Sequence, residues 1–268
     1  MNKTPADGPY ENRPYETLSV EERTDRVVVT LRRPAARNAI NGRMITELHR
    51  VCEELERVPK FLLLTGHSGV FAGGADIGEL RARGRDEALQ GINSRLFERV
   101  RRLPLPTVAA VPGWALGGGA ELAYACDLRI AGPNAVFGNP EPGLGILAAA
   151  GACWRLRELV GESVAKQVLL AGRTLDAPAA LACGLVMDVV PTDRLIDEAH
   201  ALLDRMARSS ALALRLTKLV TDAPGAHPLA DDLAQAVLFE SPDKEERMKR
   251  FLEKTETAQK TETTGGRA

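Results

Sequence analysis

The sequence is poor in the residue patterns that mark several functional classes. Its four cysteines, Cys52, Cys126, Cys153 and Cys183, stand far apart with no C-x-x-C pair. That spacing argues against a disulfide framework and for reduced thiols among apolar neighbours. Its four histidines, His49, His67, His200 and His227, show no H-E-x-x-H or other ligand spacing, so neither a metal site nor a histidine dyad is expected. Neither sign of charge is in surplus: 35 Lys+Arg oppose 36 Asp+Glu, a net charge of −1. A protein that grips nucleic acid usually carries a basic excess on one face, so that class is set aside, although a local basic patch is not. No apolar run approaches the ~18 residues of a membrane span. The opening MNKTPADGPYENRPYE lacks the apolar stretch of a secretory leader. The expectation is a soluble, cytoplasmic protein with no membrane or nucleic-acid partner.

What is present is an ordinary soluble composition, 44% hydrophobic and 26% charged over 268 residues, long enough for one large domain or two modest ones. Short β-branched runs alternate with longer helical patterns. The strand candidates are 27–31, 61–65, 107–111, 128–131 and 186–190, several apolar throughout, as strands covered on both faces are. Residues 17–31 read as a hairpin turning near Asp25. Met44, Leu48, Val51, Leu55 and Val58 form one apolar stripe, which predicts a helix from Asn41 to Val58, stopped by Pro59. A further helix is predicted over 162–171. A short one follows, entered through Thr174-Leu175-Asp176-Ala177-Pro178 and ended by Gly184. After residue 193 the strands cease and helical patterns dominate. The chain therefore divides into a polar tail (1–16), an α/β core (17–192), a helical region (193–255) and a second polar tail (256–268).

The 24 glycines matter by position. One cluster, Phe71-Ala72-Gly73-Gly74-Ala75-Asp76-Ile77, follows the strand at 61–65. Another, Gly113 to Leu122 with Gly117-Gly118-Gly119 inside it, follows the strand at 107–111 and runs into a helix-favouring stretch. Glycines at a helix start leave backbone N–H groups uncovered at the positive end of the dipole, a place for a phosphate or a reaction oxyanion. The phosphate reading lacks its Walker signature, G-x-x-x-x-G-K-[ST]. Gly143 to Ala148 matches G-x-G-x-x-A but follows Asn139-Pro140-Glu141-Pro142, not a strand, so a dinucleotide site is not expected. Glu121 lies just inside the helix opened by the glycines, in an apolar run. Glu141 lies between two prolines. A carboxylate in apolar surroundings is costly to ionise, which moves its pKa toward the range useful for proton transfer.

Taken in order, these segments resemble the enoyl-CoA hydratase/isomerase (crotonase) superfamily over nearly the whole chain, from Tyr15 to about Lys254. Arg33 to Ile40 is similar to R-P-x-x-x-N-A-[LI], Phe71 to Ile77 to F-x-x-G-A-D-I, and Gly113 to Leu122 to G-x-A-x-G-G-G-x-E-L. Phe137 to Glu141 resembles F-G-x-P-E. Residues 172–191 and 243–254 resemble the family's later G-L-V…V-V-P and E-x-M-x-x-F-L-E-K segments. The resemblance implies an α/β spiral of ββα repeats with a C-terminal helical region that builds homotrimers or paired trimers. It implies an acyl-CoA thioester as substrate and no cofactor apart from the coenzyme A that the substrate carries. By position, the N–H groups of Ala75 and Gly118 would form an oxyanion hole. Glu121 would activate water and Glu141 would move the proton at Cα of a trans-2-enoyl-CoA. Ala36, Arg37, Ala72, Ala75, Asp76 and Ile77 would line the CoA channel, with Arg37 near a phosphate, and Ala149 would offer its N–H to the water. The stretch 148–156 departs from the usual hydratase run, which leaves Δ3-Δ2 isomerisation or a non-catalytic acyl-CoA-binding role as alternatives.

Overall fold

The computed structural model describes residues 15–223, 225 and 227–265, with side chains to residue 253. Most of the N-terminal tail (1–14) and the last three residues lie outside the described residues. Contacts divide the chain into two units, 1–205 and 206–268.

In the first unit, β1 (Leu18–Glu22) and β2 (Arg26–Leu31) make the expected antiparallel hairpin, with Leu18 opposite Leu31. Helix α1 (Gly42–Arg57) is capped by Asn41, whose Oδ1 accepts from Met44 N at 3.0 Å. Its buried face carries Met44, Leu48, Val51 and Leu55 of the predicted stripe, whereas Val58, the last member, is the extended residue that ends the helix and is 44% exposed.

A repeating pattern then begins. Strands β3 (Phe61–Gly66) and β4 (Val70–Ala72) lead to α2 (Ile77–Ala82), α3 (Arg85–Leu89) and α4 (Ile92–Arg101). Strands β5 (Thr107–Val111) and β6 (Trp114–Leu116) lead to α5 (Gly118–Ala125), and β7 (Leu128–Ala131) and β8 (Val136–Gly138) lead to α6 (Arg157–Leu169). The first strand of each repeat joins one sheet and the second joins another. The larger sheet has the order β1-β2-β3-β5-β7-β10 and the smaller β4-β6-β8-β9, with β9 at Leu175–Asp176 and β10 at Asp188–Val189. β2, β3, β5 and β7 pair in parallel. The chain thus advances one step along both sheets per repeat, which is the expected spiral of ββα turns. β5 is buried at every residue, as a strand covered on both faces must be.

Three differences from the sequence reading have local causes. The short strands β4, β6 and β8 are three residues each, too short for a period-2 signal to register. Helix α6 carries an extra turn before the predicted start at 162: a first segment from Arg157 is broken at Gly161, where φ is +77° and ψ 162°, and the expected helix follows as the second segment, to Leu169. The strand expected over 186–190 is paired only at Asp188–Val189, against Ile130 and Ala131 of β7. Helix α7 (Ala177–Ala182) starts as predicted, with Asp176 Oδ1 accepting from Ala179 N at 2.9 Å. Helix α8 (Leu195–Ala207) closes the unit.

The second unit is helical. It holds α9 (Ala211–Thr221), α10 (Leu229–Phe239) and α11 (Pro242–Gly265). Ser210 caps α9, and Arg247 binds both the Asp243 carboxylate and the Arg208 carbonyl. Leu219, Leu233, Val237, Phe239 and Met248 are exposed on these helices.

Candidate active site

The site is assembled from three successive repeats. From the first comes the stretch after β4. Ile40 donates to the Gly74 carbonyl at 2.8 Å and accepts from Asp76 N at 2.9 Å. In extended backbone this alternation turns the N–H of Ala75, between them, to the opposite side. From the second comes the start of α5. Gly117 N donates to the Gly138 carbonyl at 2.8 Å, and Glu121 N returns to the Gly117 carbonyl at 3.0 Å. Gly118 is the first helical residue, so its N–H has no acceptor inside the helix. A Cβ on Gly118 would lie 3.5 Å from Ala75 N, so the two backbone segments approach closely. Both residues line the same cavity, Gly118 at the positive end of a helix dipole, and among the described residues no backbone acceptor takes either N–H.

Two glycines make this approach possible. Gly119 packs so tightly on the preceding repeat that a Cβ there would meet the Ala72 carbonyl oxygen at 2.3 Å. Gly117 has φ +51° and ψ −127°, a backbone state that suits glycine, and it faces Glu141.

The carboxylates complete the site. Glu121 is 4% exposed and Glu141 8%. Glu121 Oε1 accepts from Ala150 N at 2.8 Å and from Ala152 N at 3.1 Å. Burial pushes its pKa up to about 7; the Ala152 and Ala150 N–H groups oppose the rise, and the charge of nearby Glu141 adds to it. Burial likewise raises the pKa of Glu141, against the pull of its own backbone N–H and the nearby Asn139 amide. Glu141 Oε2 is buried and has no hydrogen-bond partner among the described residues, so this oxygen is left for something in the cavity. Asn139 is itself held by Tyr124, whose hydroxyl donates to Oδ1 at 3.3 Å from a fully buried position.

Both glutamates line a cavity of about 450 Å³, together with Ala75, Ile77, Gly118 and Ala149. The other expected lining residues stand elsewhere. Ala36 and Arg37 end the short 3₁₀ turn at Pro34–Ala36, outside this wall, and Arg37 is exposed. Ala72 is fully buried under Gly119. Asp76 caps α2 through Gly78 N at 3.1 Å and pairs with Arg33 at 3.1 Å, which holds its carboxyl below the usual range. Sequence reasoning missed the grip of Ala150 and Ala152 on Glu121. It also missed Asn93, on the cavity wall and bound to Arg83 Nη1 at 2.9 Å. Backbone donors carry no residue signature, so the first had no signal to find. Asn93 lies at the start of α4, a helix the pattern did not mark. Among the described residues no three of His, Cys, Asp or Glu converge as metal ligands, and no helix is long and apolar enough to cross a membrane.

Comparison with known proteins finds relatives over nearly the whole chain. The sequence model of the family described as Enoyl-CoA hydratase/isomerase matches residues 22–261. A probable enoyl-CoA hydratase of Mycobacterium bovis is 38% identical over 248 residues, covering 90% of this chain and 96% of its own. The crystal structure of an enoyl-CoA hydratase subunit from Geobacillus kaustophilus superposes with a TM-score of 0.84 at 34% identity, covering 90% of this chain and 96% of that one. A putative enoyl-CoA hydratase from Thermobifida fusca, solved with acetoacetyl-CoA, gives a TM-score of 0.76 at 30% identity, covering 82% and 94%.

Proposed function

The chain belongs to the enoyl-CoA hydratase/isomerase family, and from that premise we propose that it is a hydro-lyase adding water across the Cα=Cβ bond of a trans-2-enoyl-CoA. The observation that carries this is the meeting of two buried carboxylates with two unspent backbone N–H groups on one cavity wall. The thioester oxygen sits between the N–H groups of Ala75 and Gly118, which stabilise it as negative charge develops; such a donor is worth about 10²–10³ in rate. Glu121 takes a proton from water as its oxygen bonds to Cβ. Electrons of the double bond move to Cα and the thioester oxygen, and Glu141 delivers a proton to Cα from the same side. The product is a 3-hydroxyacyl-CoA, and proton exchange between the two carboxyls restores the site.

The pKa rise of both glutamates suits proton transfer. A carboxyl near 7 can take a proton at neutral pH, and burial raises the Glu141 carboxyl toward the range of a proton donor. Coenzyme A enters as part of the substrate, and no resident cofactor is needed by these steps. The relatives' names and the acetoacetyl-CoA complex support the acyl-CoA substrate class. The exposed apolar residues of α10 and α11 support a homotrimer or a pair of trimers, since large apolar patches mark interfaces. Purified protein given trans-2-enoyl-CoA thioesters should show loss of the conjugated-thioester absorbance and appearance of the 3-hydroxyacyl product. No turnover across a chain-length series would overturn the proposal. Turnover of a 3-enoyl-CoA that survives Glu121→Ala would favour isomerisation instead.

A further inference from the structure

Beyond Glu121 lies a second cavity of about 510 Å³ that the hydration steps leave unused. It is bounded by α4, α5 and the π-helical turn Ala152–Leu156, and it shares Ser94, Glu121 and Ala150 with the first cavity. Helix α5 sets the order of the two. Gly118, Glu121 and Ala125 are three and four residues apart and so lie on one helix face. Gly118 lines the first cavity, Glu121 both, and Ala125 the second. A thioester carbonyl fixed at the Gly118 N–H, with its double bond at the glutamates, therefore aims the rest of its acyl chain toward Ala125. Gly118 to Ala125 spans about 10 Å at 1.5 Å per residue. An extended chain gains ~1.2 Å per bond, so an acyl group of about eight carbons reaches the second cavity.

The walls there are not those of an alkyl pocket. Phe97 and Ala125 are apolar, but Arg95, Arg101 and Arg155 also line the cavity. Arg101 pairs with Glu98 at 2.9 Å and covers the Trp154 ring at 5.4 Å. Arg155 pairs with Glu158 at 3.0 Å and donates to the Tyr124 carbonyl at 3.3 Å. Arg95 is different. Among the described residues its guanidinium has no carboxylate and no hydrogen-bond acceptor. A cationic fork without an anion, on the wall of the cavity toward which the acyl chain is aimed, matches the geometry of a carboxylate.

We infer that the substrate's acyl group ends in a carboxylate held by Arg95, so that this protein prefers the CoA thioester of an α,ω-dicarboxylic 2-enoic acid. The inference rests on the hydratase reading and narrows its substrate class. Arg101 and Arg155, already neutralised by Glu98 and Glu158, add hydrogen-bond donors, while Trp154 walls one side.

The test compares trans-2-octenoyl-CoA with the same thioester bearing a carboxyl in place of its terminal methyl. The expected kcat/KM ratio favours the carboxylate at least about tenfold, as a charge-assisted bond implies. In Arg95→Leu the ratio should fall to about one; Arg95→Lys should keep part of it. Arg95 is exposed, so both variants should fold, which circular dichroism checks. Equal or poorer turnover of the carboxylate, with octenoyl-CoA still hydrated, would overturn the carboxylate and leave the hydratase standing. A preference that survives Arg95→Leu would overturn the role of Arg95. Failure of both thioesters and of crotonyl-CoA would overturn the hydratase reading, and this one with it.

Discussion

Gly117 and Glu141 are in register across two repeats of the spiral: a Cβ added at Gly117 would lie 2.9 Å from Glu141 Oε1. The glycine is thus the floor against which the carboxyl rests, and its φ of +51° disfavours any side chain there. Gly117→Ala should displace Glu141 more than it disturbs the fold. The expected result is a fall in kcat of about 10², the cost of a misplaced general acid, with KM little changed. Steady-state kinetics on a 2-enoyl-CoA measures both, and an unchanged kcat would refute the contact's importance.

The glutamates themselves should separate by role. Glu121→Gln and Glu141→Gln should each lower kcat by about 10²–10⁴, the usual worth of a positioned acid or base. Their combination should cost far less than the product of the two, since they serve one proton path. Exchange of the Cα proton of a saturated acyl-CoA with D₂O, followed by NMR, should persist in Glu121→Gln and vanish in Glu141→Gln.

The rate should depend on pH through the same pair. With the pKa of Glu121 near 7, kcat/KM should fall as pH drops below about 7, because the base becomes protonated. Repulsion from Glu141 helps to hold that value up, so Glu141→Gln should move the acid limb of any residual activity to lower pH. A limb near the ordinary value of 4.5 in the native protein would contradict the burial argument.

Stability should run the other way. Glu121 has a pKa of about 7 when folded and 4.5 as a free side chain, so the folded chain binds more protons between those values. Its contribution is fully present below 4.5 and is lost as pH rises through about 7. Glu121→Gln still accepts from the Ala150 and Ala152 N–H groups without the charge. It should therefore be more stable than the native chain at pH 8, by up to about 3 kcal/mol, and by much less at pH 4.5. Thermal melts at the two pH values decide the matter.

Gly119 tests the spiral itself. A Cβ there would meet the Ala72 carbonyl oxygen at 2.3 Å, backbone against backbone, with no flexible side chain to yield. Gly119→Ala should cost about 1–3 kcal/mol of stability and weaken activity, because the shift separates the N–H groups of Ala75 and Gly118. A denaturant melt that matches the native one would exclude this packing.

Much of this was written locally. The stripe on α1, the Asn41 and Asp176 caps, the apolar strands and the hairpin follow from spacing and residue type, because each depends on neighbours a few positions away. The glycine clusters marked where backbone would be bare, and Glu121 and Glu141 stood out as carboxylates in apolar settings. What spacing cannot give is which distant segments meet. Ala75 and Gly118 line one cavity because β4 and β6, which precede them, lie side by side in the smaller sheet. Ala150 and Ala152 reach Glu121 only because the loop before α6 folds back over α5, and the same fold-back encloses the cavity around Arg95. The chain order therefore determined the elements and the kinds of chemistry available. Packing of successive repeats decided which donors stayed free, which carboxyls were buried and how far the acyl path runs, since those depend on desolvation and close approach between residues far apart in sequence.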